Sequence, residues 1–575
     1  MITDVPLDAR GNLNTMQDET TVDSAAEGKS TGLHREIDWK GAFWVASGVP
    51  PAVLFTIGGV AATVGKLSWL VWTLSIFLGF LQSMTYAEIA GLFPHKAGGT
   101  SVYGAIAWVP YSKLVAPLSV WCNWFAWSPV LAIGSGLAAG YILHGLFPSD
   151  SAIRTWHLTL LNLSELKDGL SLRLNSTFIL GALILFAVKT IQDGGILRSA
   201  KTTKILAVSV LIPLLLVGVV PIVTGEMVRA HFFPIVPIAH DASGNVVNGS
   251  WNRAGWTLMV GGMFLAAWST YSFETAVCYT AELKNPKTDT FKAIFYSGLL
   301  CVLFFTLVPF AFQGFLGVGR LVRAPVLDAR GAVVKPALYS GMLAPGIYNG
   351  TGVAKVMVAM IHGGTLFGPL LETMLLLAIA LNIMTAMAGS SRTLYQASKD
   401  GWLPKYLSKV NRHGAPTNAM LTDFAFNMFL LLMSNYMFVL GASNVGYLIF
   451  NFLNLNAGWL HRVDRPRQER PWRAPTWLIG IGCVLSFVNL VFMGMGADVY
   501  GHGTLQIGLV FAALIVPVFL FRHYVHDKGV FPDAAIRDLE FSSDEKLVKR
   551  AGIWPYATLL AGAVVVYVSH RIAVY

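Results

Sequence analysis

The sequence predicts an all-α integral membrane protein, and three observations carry that prediction. Of its 575 residues, 54% are hydrophobic and only 13% are charged, with a mean hydropathy of +0.58, outside the range of ordinary soluble domains. Apolar runs of roughly 20 residues, the length a helix needs to cross a bilayer, recur along the chain. The basic residues gather in alternate connections between those runs, the pattern of cytoplasmic loops.

Twelve runs are long enough to span: 42–65, 67–92, 114–147, 175–192, 203–225, 255–282, 291–319, 353–396, 417–440, 443–461, 475–497 and 504–523. A thirteenth, 554–575, is apolar but barely long enough, and either spans the membrane or lies in its interface. The order of elements divides the chain into a polar tail (1–40), a membrane domain (41–523), a polar linker (524–553) and the C-terminal hydrophobic segment (554–575). The tail has no basic stretch leading into a short apolar core and cleavage site, so no secretory signal is expected.

Net charge is +10, and its placement explains it. Basic clusters fall at Arg198, Lys201 and Lys204; at Lys284, Lys287 and Lys292; from Arg392 to Arg412; and from Arg462 to Arg473. Loops enriched in this way face the cytoplasm, which places the N-terminus there too. The segment near 320–352, expected outside, runs against the pattern with Arg320, Arg323, Arg330 and Lys335. The basic balance is topological, so no nucleic-acid partner is expected.

Enzyme signatures are missing. Cys122, Cys278, Cys301 and Cys483 all lie in apolar runs without paired spacing, which suits small buried hydrophobes rather than a disulfide or zinc site. The histidines show no metal-ligand spacing. Gly134–Gly140 (GSGLAAG) resembles a phosphate loop but lacks a preceding strand, and small residues that let helices approach closely account for it better. No cofactor, no metal and no enzymatic activity are expected.

Polar groups inside the runs are then the informative residues, because they are costly at membrane depth and tend to line a pathway. Glu274 stands out, with some twenty apolar-run residues before it. Asn123, Asn382, Thr385, Asn444, Asn451 and Asn454 are further pathway candidates, each also suited to bonding helix to helix.

Four motifs in order give the chain a family resemblance from about Trp39 to Pro475. They are YAEIAGLFPHKAGGTSVYG from Tyr86, ELKNPKTDTFKAI from Glu282, SSRTLYQASKDGWLPKYLSKVNRHGAPTNA from Ser390, and RPWRAP from Arg470. With these the sequence resembles the amino acid–polyamine–organocation (APC) permeases. The resemblance implies an APC transporter fold of 5+5 inverted repeats, 41–225 and 255–461, with helices eleven and twelve at 475–523. Spans one and six are broken near mid-membrane in that fold, and their bare backbone groups can hold a zwitterion.

In span one, aligning without a gap puts Pro51, Ala52 and Val53 where the family has Gly-Ser-Gly; a gapped register matches Ala46–Val49 instead. Both registers define the substrate-binding candidates. Ser47, Gly48 and Val49 supply carbonyls, and Ala52, Val53 and Leu54 supply free amides after a first-turn Pro51. In span six the family break falls on WSTYSFE, with Ser272 at a usual glycine. Trp268 matches an aromatic gate, Ser269, Thr270 and Tyr271 follow as contacts, and Glu274 occupies a position for coupling or gating. The lysine some members carry in span five falls near Val210 here, so it is absent; Thr385 and Ser390 are the sodium-ligand candidates.

The resulting expectation is a multi-pass permease of the plasma or bacterial inner membrane. It carries a neutral amino acid by alternating access, with proton symport or exchange ahead of sodium coupling. The alternatives are a polyamine, choline or 4-aminobutyrate carrier and a transport-inactive nutrient sensor. Its partners are a small amino acid or amine, the proton and the lipid bilayer.

Overall fold

The structure, a computed structural model, describes residues 33–148, 150–163, 170–327, 333–335, 337–348, 350, 352–433, 436–539 and 549–575. Span one is two helices. α1 (Trp39–Ala46) opens at Asp38, whose side chain caps the Gly41 amide at 2.9 Å. It stops at Ser47, and one 3₁₀ turn at Pro50–Ala52 leads into α2 (Val53–Val64). Pro50 and Pro51 have no N–H, so the Ser47 carbonyl loses the donors a continuous helix would give it. Gly65, at φ 64°, turns the chain into α3 (Ser68–Gly91).

α4 (Thr100–Trp108) precedes α5 (Val115–Trp127) and α6 (Pro129–Leu146), which together cover the run expected at 114–147. The short α7 (Ala152–Thr155) and the hairpin β1 (His157–Asn162) with β2 (Ser171–Asn175) lead to α8 (Ser176–Gln192). Gly195, at φ 86°, starts α9 (Ile196–Val223) ahead of the expected 203. Arg198, Lys201 and Lys204 therefore ride on its first turns and not in a loop. A second hairpin, β3 (Ile238–His240) with β4 (Val246–Asn248), comes before α10 (Arg253–Thr270).

Span six changes character at Tyr271. Ser272–Glu282 form 11 residues of 3₁₀ helix, a form that rarely exceeds three or four. α11 (Pro286–Leu316) follows, then the paired β5 (Leu321–Arg323) and β8 (Leu338–Tyr339), which enclose the paired β6 (Val326–Leu327) and β7 (Val333–Lys335). The short α12 (Pro345–Tyr348) comes next.

The long run at 353–396 is α13 (Val353–Met360) and α14 (Gly364–Lys399), not one span. At 1.5 Å per residue the run is far longer than a bilayer, and His362 and Gly364, both at positive φ, break it. The boundary between the ninth and tenth runs also moves. α15 (Thr417–Leu431) ends early and α16 (Tyr436–Asp464) starts before the expected 443. α17 (Thr476–Gly496), α18 (Thr504–Ala513), α19 (Ile515–Leu520), α20 (Asp533–Leu539) and α21 (Trp554–Ile572) complete the chain.

Among the described residues, 8 helical stretches are long and apolar enough to cross a membrane, the first being the 53-residue stretch Trp39–Gly91 that includes the α1–α2 break. α3 packs on α10 and α11, α14 on α5, α6 and α9, and α16 on α4, α5, α17 and α18, around a large continuous core, with a small satellite cluster at Ala132, Leu430 and Val439. Small residues set several of these approaches: a side chain at Gly134 would meet Ile383. The outer faces stay apolar, with Leu183, Ile205, Val484 and Leu560 all exposed. α21 flanks α17 along its length. Tyr556 bonds the Tyr111 carbonyl at one end (2.9 Å), and Arg253 bonds the Ile572 carbonyl at the other (2.9 Å).

Candidate functional site

The two interrupted elements meet at the centre of the molecule. Thr56 of α2 and Ser269 of α10 share a hydroxyl hydrogen bond of 3.1 Å, and Thr385 of α14 donates to the Val45 carbonyl at the end of α1 (2.6 Å). Gly48 lies directly against α14, where an added Cβ would come within 2.7 Å of the Leu381 carbonyl. Ser47, Val49, Ala52, Val53 and Leu54 are buried around this junction. Asn382, also on α14, is buried.

The amides after the prolines differ from expectation. Ala52 donates to the Val49 carbonyl at 2.9 Å, and Val53 to the carbonyls of Pro50 and Pro51. Two prolines fix φ near −65°, which suits a tight 3₁₀ turn whose i→i+3 bonds use these donors. Neither amide is therefore free for a carboxylate. On the other side of the break, the missing proline N–H groups leave the Ser47 carbonyl without a helical donor, and the Gly48 carbonyl loses the Ala52 amide to Val49.

α10 divides its polar residues by helical phase. Trp268 is buried with its indole Nε1 3.4 Å from the Ala126 carbonyl of α5. Ser269 faces α2, but Thr270 and Tyr271 turn away. The Thr270 hydroxyl bonds Ser75 of α3 at 2.7 Å, and the Tyr271 hydroxyl bonds Asn489 of α17 at 3.3 Å. Successive helical residues lie about 100° apart, so neighbours in sequence need not share a pocket.

Glu274 sits in the 3₁₀ segment, buried, accepting from the Thr100 hydroxyl and from Trp127 Nε1 (3.3 Å). Both donors are neutral, and among the described residues the carboxylate has no ion-pair partner. Ser272 bonds the Trp268 carbonyl at 2.5 Å, which fastens the helix-to-3₁₀ junction.

Four of the candidate asparagines bond from helix to helix. Asn123 bonds Ser101 at 2.7 Å, Asn454 bonds Ser119 at 2.9 Å, Asn451 accepts from Tyr86, and Asn444 reaches the Phe264 carbonyl.

Sequence reasoning passed over Asp423. It lies buried on α15 with Trp124 Nε1 at 2.5 Å and Ser128 at 2.8 Å on one oxygen, and Ser390 at 2.5 Å on the other. Ser390 is thereby engaged by a carboxylate. Trp124 and Trp127 lie one turn apart on α5 and Ser128 is its C-cap, so Glu274 and Asp423 are both held at the end of the same helix. The available signal was an acidic residue in the apolar run 417–440.

The end of the molecule carrying the basic loops is closed by ion pairs. Glu282 at the end of the 3₁₀ segment binds the Arg392 guanidinium through both oxygens, one contact at 2.9 Å. Glu88 of α3 holds Arg462 (2.6 Å), Arg470 (3.1 Å) and the Ala474 amide (2.8 Å). Lys96 binds Asp400 (2.5 Å) and Asp538 of α20 (2.7 Å). Glu88, Lys96, Glu282, Arg392, Asp400, Arg470 and Ala474 come from the four motifs, which these contacts bring together from distant parts of the sequence, while Arg462 and Asp538 lie outside them.

Comparison with known proteins adds three findings. A family model described as "Amino acid permease" matches residues 37–520. Polyamine transporter PUT1 of Oryza sativa subsp. japonica is 24% identical over 479 residues, covering 80% of this chain and 75% of that protein. An uncharacterised transporter of Legionella pneumophila is 23% identical over 236 residues, 38% of this chain and 45% of its own.

Proposed function

The chain belongs to the amino acid permease family of transporters, and from that premise we propose that it moves an amine-bearing solute by alternating access, coupled to protons at Glu274. The observation that carries this reading is the Glu274 carboxylate, buried beside the span-six break with only neutral donors. A carboxylate at membrane depth needs a proton or a cation to neutralise it, and the described residues supply no cation. Binding and release of that charge, alternating with opening of the ion-paired end, gives symport or exchange.

Two observations favour a di- or polyamine over the neutral amino acid expected from sequence. The Ala52 and Val53 amides are spent on backbone bonds, which weakens a carboxylate cradle. Asp423 adds a second buried acid with neutral partners. The rice relative is named a polyamine transporter, which agrees. A neutral amino acid is the second reading, favoured by the uncapped carbonyls of Ser47 and Gly48 and by the family's description.

We read the domain 41–523 as twelve spans, with inverted repeats 41–225 and 255–461 and an outer pair at 475–523. The matching interruptions after Ala46 and Thr270 support the repeat. The tail 1–40 and the linker 524–553 then lie in the cytoplasm of a cell-membrane protein, as the basic loops favour. α21, flanking α17 from end to end, is read as a thirteenth span.

Thermal unfolding of the purified protein with putrescine, spermidine and each neutral amino acid tests the substrate, because a ligand of the folded state raises its stability by mass action. A shift with polyamines alone is expected; a shift with neutral amino acids alone reverses the choice. Accumulation in proteoliposomes then separates a transporter from a sensor, which binds without accumulating.

A further inference from the structure

Beyond the central site, a cavity of about 470 Å³ opens beside α9 at the basic-loop end, within the size range of ligand pockets. Three segments build it: His34 and Glu36 before α1, the α8–α9 corner with Arg198 and Lys201, and the α14–α15 loop with Arg412 and His413. They are fastened together. The Asn411 side chain donates to the Asp193 carbonyl at 2.8 Å and accepts from the His413 and Ala415 amides, at 2.9 and 3.1 Å. Gly195, with no room for a Cβ, packs against the His413 carbonyl, and Gly414 packs against the His34 ring.

The lining is strongly cationic. Arg198, Lys201 and Arg412 contribute three full positive charges, and Arg198 and Lys201 have no ion-pair partner among the described residues. Glu36 also lines the cavity, its carboxylate 3.7 Å from His34 Nδ1. The N-terminus of α9 adds the positive end of a 28-residue helix, with a Gly195 cap that supplies no side-chain acceptor.

Immediately beside this charge the wall becomes apolar. Leu197 and Ile205 line the same cavity and are exposed, and Val208 and Ile212 continue the exposed stripe along α9. Positions 197, 201, 205, 208 and 212 recur every three or four residues, so they share one helix face. Lys201 stands in that stripe. A pocket of guanidinium and ammonium groups at one end of an exposed apolar track matches a molecule with an anionic head and hydrocarbon tails.

We propose that this cavity binds the phosphate-bearing headgroup of an anionic lipid, with the acyl chains lying along the Leu197–Ile212 face. The site is independent of the transport reading and needs only that the chain be a membrane protein. Occupancy ties α9, the α14–α15 loop and the segment before α1 into one unit.

The test is thermal unfolding of the full chain in detergent with dioctanoyl-phosphatidylglycerol, dioctanoyl-phosphatidylcholine or inorganic phosphate as titrant. Phosphatidylglycerol is expected to stabilise and phosphatidylcholine not. R198Q/K201Q/R412Q is expected to raise the half-saturating concentration at least about tenfold, since each basic group near an anionic surface contributes roughly fivefold. Lys204→Gln, a single neutralisation on α9 outside the cavity lining, serves as the control for non-specific charge loss and leaves the titration unchanged. The charge-keeping R198K/K201R/R412K, which retains lipid selectivity, guards against a folding defect in the neutral triple. Equal stabilisation by the two lipids, or selectivity surviving in R198Q/K201Q/R412Q, overturns the site. Inorganic phosphate matching phosphatidylglycerol, with the same dependence on the variants, overturns the lipid assignment in favour of a soluble phosphate.

Discussion

Removing one member of the Glu282–Arg392 pair should destabilise the protein more than removing both. Glu282 is 1% exposed and Arg392 2%, and the guanidinium also donates to the Ala388 carbonyl at 3.0 Å. The pair pins the end of the span-six 3₁₀ segment to α14, while the Glu282 carbonyl accepts from the Glu36 and Ile37 amides, at 3.1 and 3.2 Å. Glu282→Gln leaves a buried guanidinium without its counter-charge, a loss of about 3–5 kcal/mol, or at least a hundredfold in the folding equilibrium. Arg392→Met leaves the carboxylate in the same position and costs a similar amount. The double variant E282L/R392M removes both charges and should recover most of that loss, because apolar replacement of a buried pair is often near neutral. Denaturant unfolding in detergent, followed by tryptophan fluorescence, reads all four proteins. Singles within about 1 kcal/mol of the parent, or a double as unstable as the sum of the singles, would refute the reasoning.

Two further outcomes follow from the same contacts. Gly48→Ala pushes a methyl group into the Leu381 carbonyl and the Thr385 hydroxyl, and should cost about 1–3 kcal/mol in the same assay while Gly140→Ala, with open space around it, costs little. Burial pushes the Asp538 carboxyl up, but its contacts with His95 (2.6 Å) and Lys96 outweigh burial and hold it below its usual value. A carboxyl depressed in the folded state stabilises fully above its unfolded value near ~3.9 and loses that contribution as pH falls through the folded value. Hydrogen exchange of the α20 amides, corrected for intrinsic rate, should therefore stay slow at neutral pH and accelerate below about pH 4; Asp538→Asn should remove that pH step.

Much of this architecture was legible because hydropathy marks a membrane helix with some twenty consecutive residues. Pro50-Pro51 announced the break in span one, and Asp400, Arg392 and Glu88 sat in motifs specific enough to identify. Local chemistry was less readable. The apolar composition of 353–396 concealed the turn at His362–Gly364, although two adjacent glycines stood there. The use of the Ala52 and Val53 amides depends on a 3₁₀ geometry that sequence spacing does not encode. Asp423 acquires its meaning only when Trp124, Ser128 and Ser390 arrive from distant parts of the chain. Thr270 and Tyr271 fell next to Ser269 in sequence, but their helical phase gives them to α3 and α17.

The central claim is that Glu274 carries the coupling charge, and uptake into proteoliposomes under an imposed pH gradient tests it most directly. With the substrate found by thermal shift, the parent protein should accumulate it only with the gradient. Glu274→Gln, which keeps the size of the side chain and the Trp127 bond, should still bind but should transport without dependence on the gradient. Accumulation by Glu274→Gln with the parent's pH profile would contradict the account.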